Sequence, residues 1–486
     1  MKKRRKQTQR KLKRSIIVFL SALLALFIIG FIGLKITENG TYTVYDIKTH
    51  EQYGTYNHFI FAKWKMHSLE ENENIVISNQ NGKIVALHNA IVNFNTKEVT
   101  ENTSYVVDGT NEDGYLNGSY GTDGLYIETS NDGSKVLFMM SGVKAWVSIE
   151  DIQLFYYDDY LQSYYYVNNG SLIHAILIDA ESAQYQTLAI GEAPDFLKEN
   201  TTYFSYDGNW FYTDMDQLSS DVLNDVHDNA INSEAYFNFY QYVPHRSLTN
   251  LDDSDYNEYL SSVGISATAN AYPCADTESV LYENGSIFTE VQDQTYINAT
   301  MMFAVALNES GYGQSQYAIE NHNLFGHAAY DSNPDNANSY DSLDDCVYQH
   351  AYNFLQQGYA NPEDERYHGS WFGNKASGIN VQYASDPYWG EKAASFYYSL
   401  DNDKDLNEIQ IITQKLKNDL NVYDEVDGSV LYSYEKGDII SFVYTDSDNG
   451  WYQIMSEAPV KDGKIDINST YTKDSVGYIQ ASDLNQ

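Results

Sequence analysis

Residues Ala299–Leu307 (ATMMFAVAL) carry no charge, and the residues on either side fix where such a run can begin and end. Asn298 has the side chain of a helix N-cap, and Gly311 and Gly313 supply the backbone freedom that stops a helix. The pattern predicts a core helix with Glu309 at its last turn, where the helix meets the glycine-rich stretch Asn308-Glu309-Ser310-Gly311-Tyr312-Gly313-Gln314-Ser315. A carboxyl half buried against apolar side chains disfavours its charged form, so its pKa rises and it can stay protonated near neutral pH. A general acid for cleavage of a glycosidic bond needs that property.

The start of the chain constrains where such chemistry takes place. Residues 1–14 hold nine Lys and Arg and no acid, and Ile16–Leu34 is an uncharged apolar run of 19 residues. At about 1.5 Å per residue that helix nearly spans a hydrocarbon core of about 30 Å. A basic flank stays in the cytoplasm, which puts the rest of the chain outside. The run ends Gly30-Phe31-Ile32-Gly33-Leu34-Lys35, without the small-residue site of a cleaved signal peptide, so an uncleaved anchor is expected. From residue 15 on, 20 Lys and Arg face 68 Asp and Glu. A balance this acidic repels nucleic acid and anionic lipid headgroups, and leaves neutral glycans as partners. The two cysteines, Cys274 and Cys346, are either a disulfide or two buried thiols. No metal-ligand pattern occurs: His322 and His327 lack helical i, i+4 spacing, and nothing calls for a cofactor.

With 486 residues the chain holds several domains. Residues 41–154 read as β-rich, with Ile75-Val76-Ile77 and Lys135-Val136-Leu137-Phe138 separated by the turn pairs Asn81-Gly82, Asp113-Gly114 and Asp132-Gly133. The block Ala145-Trp146-Val147-Ser148-Ile149-Glu150-Asp151-Ile152 has a weak repeat at Gly477-Tyr478-Ile479-Gln480-Ala481-Ser482-Asp483-Leu484. Both resemble the closing strand of bacterial SH3-like wall-binding domains. Residues 408–486 add Gly437-Asp438-Ile439-Ile440 and Gly450-Trp451-Tyr452-Gln453-Ile454, which resemble inner strands of the same small barrel. Residues 155–272 are rich in aromatics such as Tyr164-Tyr165-Tyr166 and Tyr236-Phe237-Asn238-Phe239-Tyr240. Packing explains most of them, and a sugar-stacking surface is the other reading. This stretch is expected to dock on the catalytic segment.

The glycine-rich block at Glu309 is followed by Asn323-Leu324-Phe325-Gly326, Ala329-Tyr330-Asp331, Tyr340-Asp341-Ser342, Phe372-Gly373-Asn374-Lys375-Ala376-Ser377-Gly378 and Tyr383-Ala384-Ser385-Asp386-Pro387-Tyr388-Trp389. This ordered series resembles glycoside hydrolase family 73, the endo-β-N-acetylglucosaminidases that cut bacterial peptidoglycan. The resemblance covers roughly Ser279 to Leu400, and its last two blocks look like those of the chain-separating glucosaminidases of Gram-positive cocci. It implies a mainly helical, lysozyme-like α+β catalytic domain at 273–402. Glu309 would be the general acid. Tyr383 would polarise the substrate's 2-acetamido group or orient water. Asn323, Phe325 and Gly326 would shape the cleft floor, with Ser315, Tyr330, Lys375 and Trp389 as glycan contacts.

The second catalytic group is less plain. Asp344 and Asp345 follow Ser342 as first-turn acids of a helix expected through Gln357, and Asp386 before Pro387 reads as a helix-start residue. Asp331 ranks ahead of Asp341, unless a substrate acetamido group supplies the nucleophile and removes the need for either. The expected whole is multidomain: a basic tail at 1–14, a transmembrane anchor at 15–35, β-rich SH3-like modules at 41–154 and 408–486, an aromatic subdomain at 155–272 and the catalytic domain at 273–402. The implied activity is hydrolysis of the GlcNAc-β-1,4-MurNAc linkage of peptidoglycan by a membrane-held enzyme facing the cell wall. A lytic transglycosylase or muramidase, which cuts the other linkage, and a non-catalytic wall-binding scaffold are the alternatives.

Overall fold

The computed structural model describes residues 41–265, 279–327 and 338–484. Within them the chain forms two units, one of residues 41–92, 126–138 and 146–160, the other comprising the rest. The apolar run 16–34 lies outside the described residues, and among those described no helix is long and apolar enough to cross a membrane.

The first unit is β-rich. Four antiparallel strands lie in the spatial order Gln52–Tyr56, Tyr42–Asp46, Ile75–Ser78, Ile84–Leu87. Every residue of Ile75–Ser78 is buried, which accounts for its unbroken apolar run. Helix Phe59–His67 turns Phe59, Ala62 and Met66 inward, with the Phe59 ring 5.4 Å from that of Tyr42. Two of the expected turns form as read: Gly82 and Gly133 take φ of 78° and 76°, which glycine adopts without steric cost. Asp113-Gly114, which belongs to the second unit, does not turn. Gly114 sits inside strand Asp113–Leu116, opposite Tyr105 of strand Thr103–Val107, and the Tyr105 ring lies across the space a Cβ would fill. The glycine there accommodates a cross-strand aromatic ring instead of a bend.

The second unit holds the predicted core helix. Helix Ala299–Ser310 starts at Asn298, whose side chain accepts from Met301 N at 2.9 Å, and stops at Gly311 with φ 56°. Residues Ala299–Leu307 are all buried, packed with Phe288, Cys346, Trp389 and Tyr397 among others. Burial pushes the Cys346 thiol up to about 12; Cys274 lies outside the described residues. The helix expected from Ser342 to Gln357 begins as read, with Ser342 Oγ accepting from Asp345 N at 3.1 Å. It is regular only over Leu343–Gln349 and then widens to a π coil over His350–Tyr359. In the wide coil both Gln356 and Gln357 donate to backbone carbonyls, of Ser469 and Ile467, at 2.6 Å each.

The boundaries expected at 154 and 272 do not separate the units. Residues 93–125 and 139–145 belong with the catalytic segment. They hold its Tyr-Ala-Ser-Asp-Pro block through Tyr115 OH to Gln382 O (3.0 Å), Asn117 N to Ser385 O (2.8 Å) and Ser141 Oγ to Pro387 O (2.5 Å). The aromatic stretch is likewise built in. It supplies a three-stranded antiparallel sheet, Tyr164–Asn168, Ser171–Asp179 and Gln184–Glu192. Tyr240 OH donates to Asp401, Gln241 Nε2 to Gly373 O and His245 Nδ1 to Ser370 O, at 3.0, 2.9 and 2.8 Å.

The C-terminal segment is a six-stranded sheet in the order Ile411–Lys415, Ile439–Asp448, Trp451–Met455, Val476–Gln480, Leu420–Tyr423, Val430–Tyr434. Its small core includes Leu420, Val422, Ile440, Phe442, Ile454 and Ile479. The weak repeat is real as local structure. Val143–Ser148 runs into a 3-10 turn at Ile149–Asp151, and Val476–Gln480 runs into one at Ala481–Asp483. This sheet is fastened to the helical segment by buried polar groups. Arg246 lies 4.0 Å over the Tyr471 ring and donates to the carbonyls of Ser456 (2.8 Å), Thr472 (3.3 Å) and Ser475 (3.4 Å). Buried Glu457 accepts from Tyr367 OH, Tyr434 OH and Ser370 Oγ.

Candidate active site

Glu309 is partly exposed on the last turn of an otherwise buried helix. Ser310 Oγ ties back to Ala306 O at 2.5 Å and accepts from Gly313 N at 2.8 Å, so the turn that follows is fixed from inside. The two carboxylate oxygens of Glu309 differ. Oε1 accepts from Trp389 Nε1 at 2.5 Å and from Asn308 Nδ2 at 3.2 Å. Oε2 faces Gly326, where even an added Cβ would stand 3.7 Å away, and Gly326 holds φ 63°. Burial raises the Glu309 pKa above the usual carboxyl range. The Trp389 and Asn308 donors pull it back, Asp386 pushes it up and Lys392 pulls it down. Asp386 and Lys392 form an ion pair at 2.5 Å, and Asp386 also accepts from Tyr388 N at 2.9 Å, which makes it a turn residue ahead of helix Trp389–Asp401; the helix itself starts at Tyr388 without a side-chain cap.

Tyr383 stands beside this carboxyl. Its ring centroid is 4.5 Å from that of Trp389, and its hydroxyl donates to Phe325 O at 3.4 Å. Burial first, and then the negative charge of Glu309, hold its hydroxyl well above the usual phenol range, so it is a neutral donor. Phe325 lies flat on His350, ring centroids 3.7 Å apart. His350 Nδ1 is 3.1 Å from His327 Nε2, and His327 Nδ1 is 2.6 Å from Tyr340 OH. Burial drives His327 down to about 3 and His350 well below its usual value, so this is a neutral stack beneath the Asn-Leu-Phe-Gly turn. The sequence reading did not include His350; its only signal was a histidine at helical spacing from the apolar Phe354.

The structure brings Glu309, Phe325, Gly326, Tyr383 and Trp389 together. Asn323 supports them from behind: buried, it donates to the carbonyls of His327 (3.0 Å) and Asn338 (3.1 Å) and accepts from His327 N (3.0 Å). It therefore shapes the turn and has no donor left for a sugar. Ser315, expected to touch glycan, caps the short helix Gln316–Asn321 by accepting from Ala318 N at 3.2 Å. Trp389 is 4 % exposed and its ring N–H is used on Glu309. Lys375 is 1 % exposed and does not face Glu309. Its Nζ donates to the carbonyls of Asn380 (2.9 Å), Val381 (3.1 Å) and Ala384 (2.9 Å). Burial lowers its pKa to about 7 against the opposing pull of Asp386, and three accepting carbonyls are the surroundings of an ammonium. It lines a separate cavity of about 670 Å³ whose walls include Asp108, Lys144, Trp210 and Tyr434 and not Glu309. Asp341 is exposed, ahead of the Ser342 cap. Tyr330 and Asp331 lie outside the described residues.

Comparison with known proteins finds a match over one segment of the chain. Residues 285–402 match the protein family described as mannosyl-glycoprotein endo-beta-N-acetylglucosaminidase, the glucosaminidase family. Two Streptococcus pneumoniae proteins carrying the name endo-beta-N-acetylglucosaminidase are similar to the chain. One, from strain TIGR4, is 27 % identical over 58 % of this chain and 43 % of its own length. The other, from strain R6, is 28 % identical over 49 % of this chain and 35 % of its own. The chain thus spans less than half the length of the curated relatives it matches. Crystal structures of S. aureus Autolysin E, one of them a catalytic mutant in complex with the disaccharide NAG-NAM, align with 34 % of the chain and 72 % of theirs. The sequence identity is 20 %, and TM-scores of 0.26 and 0.25 are too low for the superposition to carry an argument. Residues 285–402 therefore form a glucosaminidase domain of glycoside hydrolase type, and Glu309, Phe325, Gly326, Tyr383 and Trp389 all lie inside it.

Proposed function

We propose that this chain is an endo-β-N-acetylglucosaminidase that hydrolyses the GlcNAc-β-1,4-MurNAc linkage of peptidoglycan, with Glu309 as general acid. The observation that carries the reading is the asymmetry of one carboxyl group. Oε1 is occupied by two N–H donors, so the proton of the neutral acid resides on Oε2, which faces Gly326, where no side chain covers it. From there it can pass to the glycosidic oxygen as the bond to C1 breaks. Tyr383, a neutral hydroxyl next to the acid, is positioned to donate to the substrate's acetamido oxygen or to hold water for attack at C1. The second group is either Asp331 or the substrate's own acetamido oxygen acting as nucleophile.

The same reading extends to the chain's surroundings. The basic tail and the run 16–34 are a cytoplasmic flank and a single-pass anchor, and the C-terminal sheet is an SH3-like module that binds wall. These parts rest on composition and on the strand resemblance alone. Mass spectrometry of borohydride-reduced fragments tests the chemistry, because it distinguishes the sugar left at the cut end. The topology is tested on cells stripped of wall: a soluble product beginning between about residues 30 and 45 would show a cleaved signal in place of an anchor.

A further inference from the structure

Glu391 is a buried carboxylate on the helix that carries Trp389, and the chemistry proposed above does not use it. It stands two residues after Trp389 on helix Trp389–Asp401, 5 % exposed. Its Oε2 is 2.5 Å from His174 Nδ1 and its Oε1 accepts from Tyr165 OH at 3.2 Å. His174 is 1 % exposed, and its ring lies flat on that of Tyr165 with centroids 3.9 Å apart. Both partners come from the three-stranded sheet, on strands Tyr164–Asn168 and Ser171–Asp179. Burying a carboxylate is costly unless it is paired, and a helix can be packed on a sheet with apolar residues alone. A clamp of this kind fixes orientation.

The orientation it fixes is that of Trp389. Gly390, between Trp389 and Glu391, sits so close to Gly373 that a Cβ would come within 2.0 Å of its carbonyl oxygen. Tyr388, on the other side, meets the His174 ring edge-on at 5.0 Å. The first turn is thus held by the sheet through Glu391 and by the glycine block through Gly390, with Trp389 between them pointing its N–H at Glu309.

We propose that the His174–Glu391 pair, with Tyr165, is a positioning device for the acid: it holds the start of this helix so that Trp389 keeps Glu309 Oε1 occupied and the transferable proton on Oε2. The proposal rests on Glu309 being the general acid. It assigns the three-stranded sheet a part in the chemistry that its distance in sequence from Glu309 conceals.

The test is the pH dependence of kcat/KM of the full chain on peptidoglycan, with melting temperatures measured alongside. A general acid stops working when it ionises, so activity falls on the alkaline side at the Glu309 pKa. Trp389 N–H stabilises the carboxylate, and Trp389→Phe should move that limb up by roughly one pH unit. The charged groups facing Glu309, Asp386 and Lys392, and the neutral Tyr383 hydroxyl are unchanged in these variants. Glu391→Gln and His174→Phe should move the limb the same way by less, and lower kcat about 10-fold with KM within about twofold. His174→Asn, which keeps a donor near the Nδ1 position, should restore most of both. Glu309→Gln in the same assay separates the two layers. If it remains active, the acid assignment falls and the positioning proposal with it. If it is inactive while Trp389→Phe, Glu391→Gln and His174→Phe lower only the melting temperature and leave the limb and kcat in place, the positioning proposal alone is overturned.

Discussion

At the scale of single residues, the account turns on which groups have donors to spare. Glu309 was readable from the sequence because an uncharged run ending in glycine predicts a half-buried carboxyl, and that is where it sits. The hydrogen bond that sorts its two oxygens was not readable, since Trp389 lies 80 positions away. Trp389, Lys375 and Ser315 were drawn toward the substrate by motif. The structure instead uses their polar atoms on Glu309, on backbone carbonyls and on a helix cap. Tyr383 keeps a proton available beside the acid and makes only a long bond to Phe325 O. Tyr383→Phe should therefore lower kcat on peptidoglycan by about 10-fold or more while leaving the melting temperature within a few degrees. Unchanged turnover would remove Tyr383 from the chemistry.

At the scale of elements, the caps and apolar runs were plain in the sequence, and the contacts between elements were not. Asn298, Ser342 and Gly311 mark helix ends as read, whereas nothing local announces that helix 343–349 widens after Gln349. Nor does the sequence around Arg246 show that it reaches three carbonyls of the C-terminal sheet more than 200 residues on. Arg246→Met leaves the Ser456 carbonyl without its donor, while Thr472 O and Ser475 O still accept from Ser475 N and Ser456 N at 3.0 and 3.1 Å, a loss of about 1–3 kcal/mol. The variant should melt earlier and become sensitive to protease between residues 402 and 411; wild-type resistance would mean the sheet is held by other contacts. Glu457 gives the same interface a pH dependence. Burial raises its carboxyl above the usual range, so the folded state favours the neutral form. The stability this contributes is present at low pH and is lost as pH rises through the raised value. Glu457→Gln cannot ionise, so its stability relative to wild type should improve as pH rises from the ordinary glutamate range toward neutrality and beyond. A difference in melting temperature that stays constant across that range would contradict the assignment.

At the scale of the whole molecule, the β-rich character of residues 41–154 was evident from short apolar runs and turn pairs, but where the chain divides was not. Residues 93–125 and 139–145 join the catalytic segment through Asn117, Tyr115 and Ser141, contacts between positions more than 240 residues apart that no turn pattern encodes. The aromatic stretch was expected to dock on the catalytic segment, and Tyr240, Gln241 and His245 do so with buried hydrogen bonds. The glucosaminidase domain thus works within a larger assembly of sheet and helix, and its activity should be measured on the whole chain. Peptidoglycan is digested with residues 36–486, the fragments are reduced with borohydride, and the reduced end sugars are identified by mass spectrometry. We expect N-acetylglucosaminitol ends from the wild-type chain, and at least about 10²-fold fewer from a folded Glu309→Gln variant. Muramitol ends, anhydro ends that cannot be reduced, or an undiminished yield from Glu309→Gln would contradict the account.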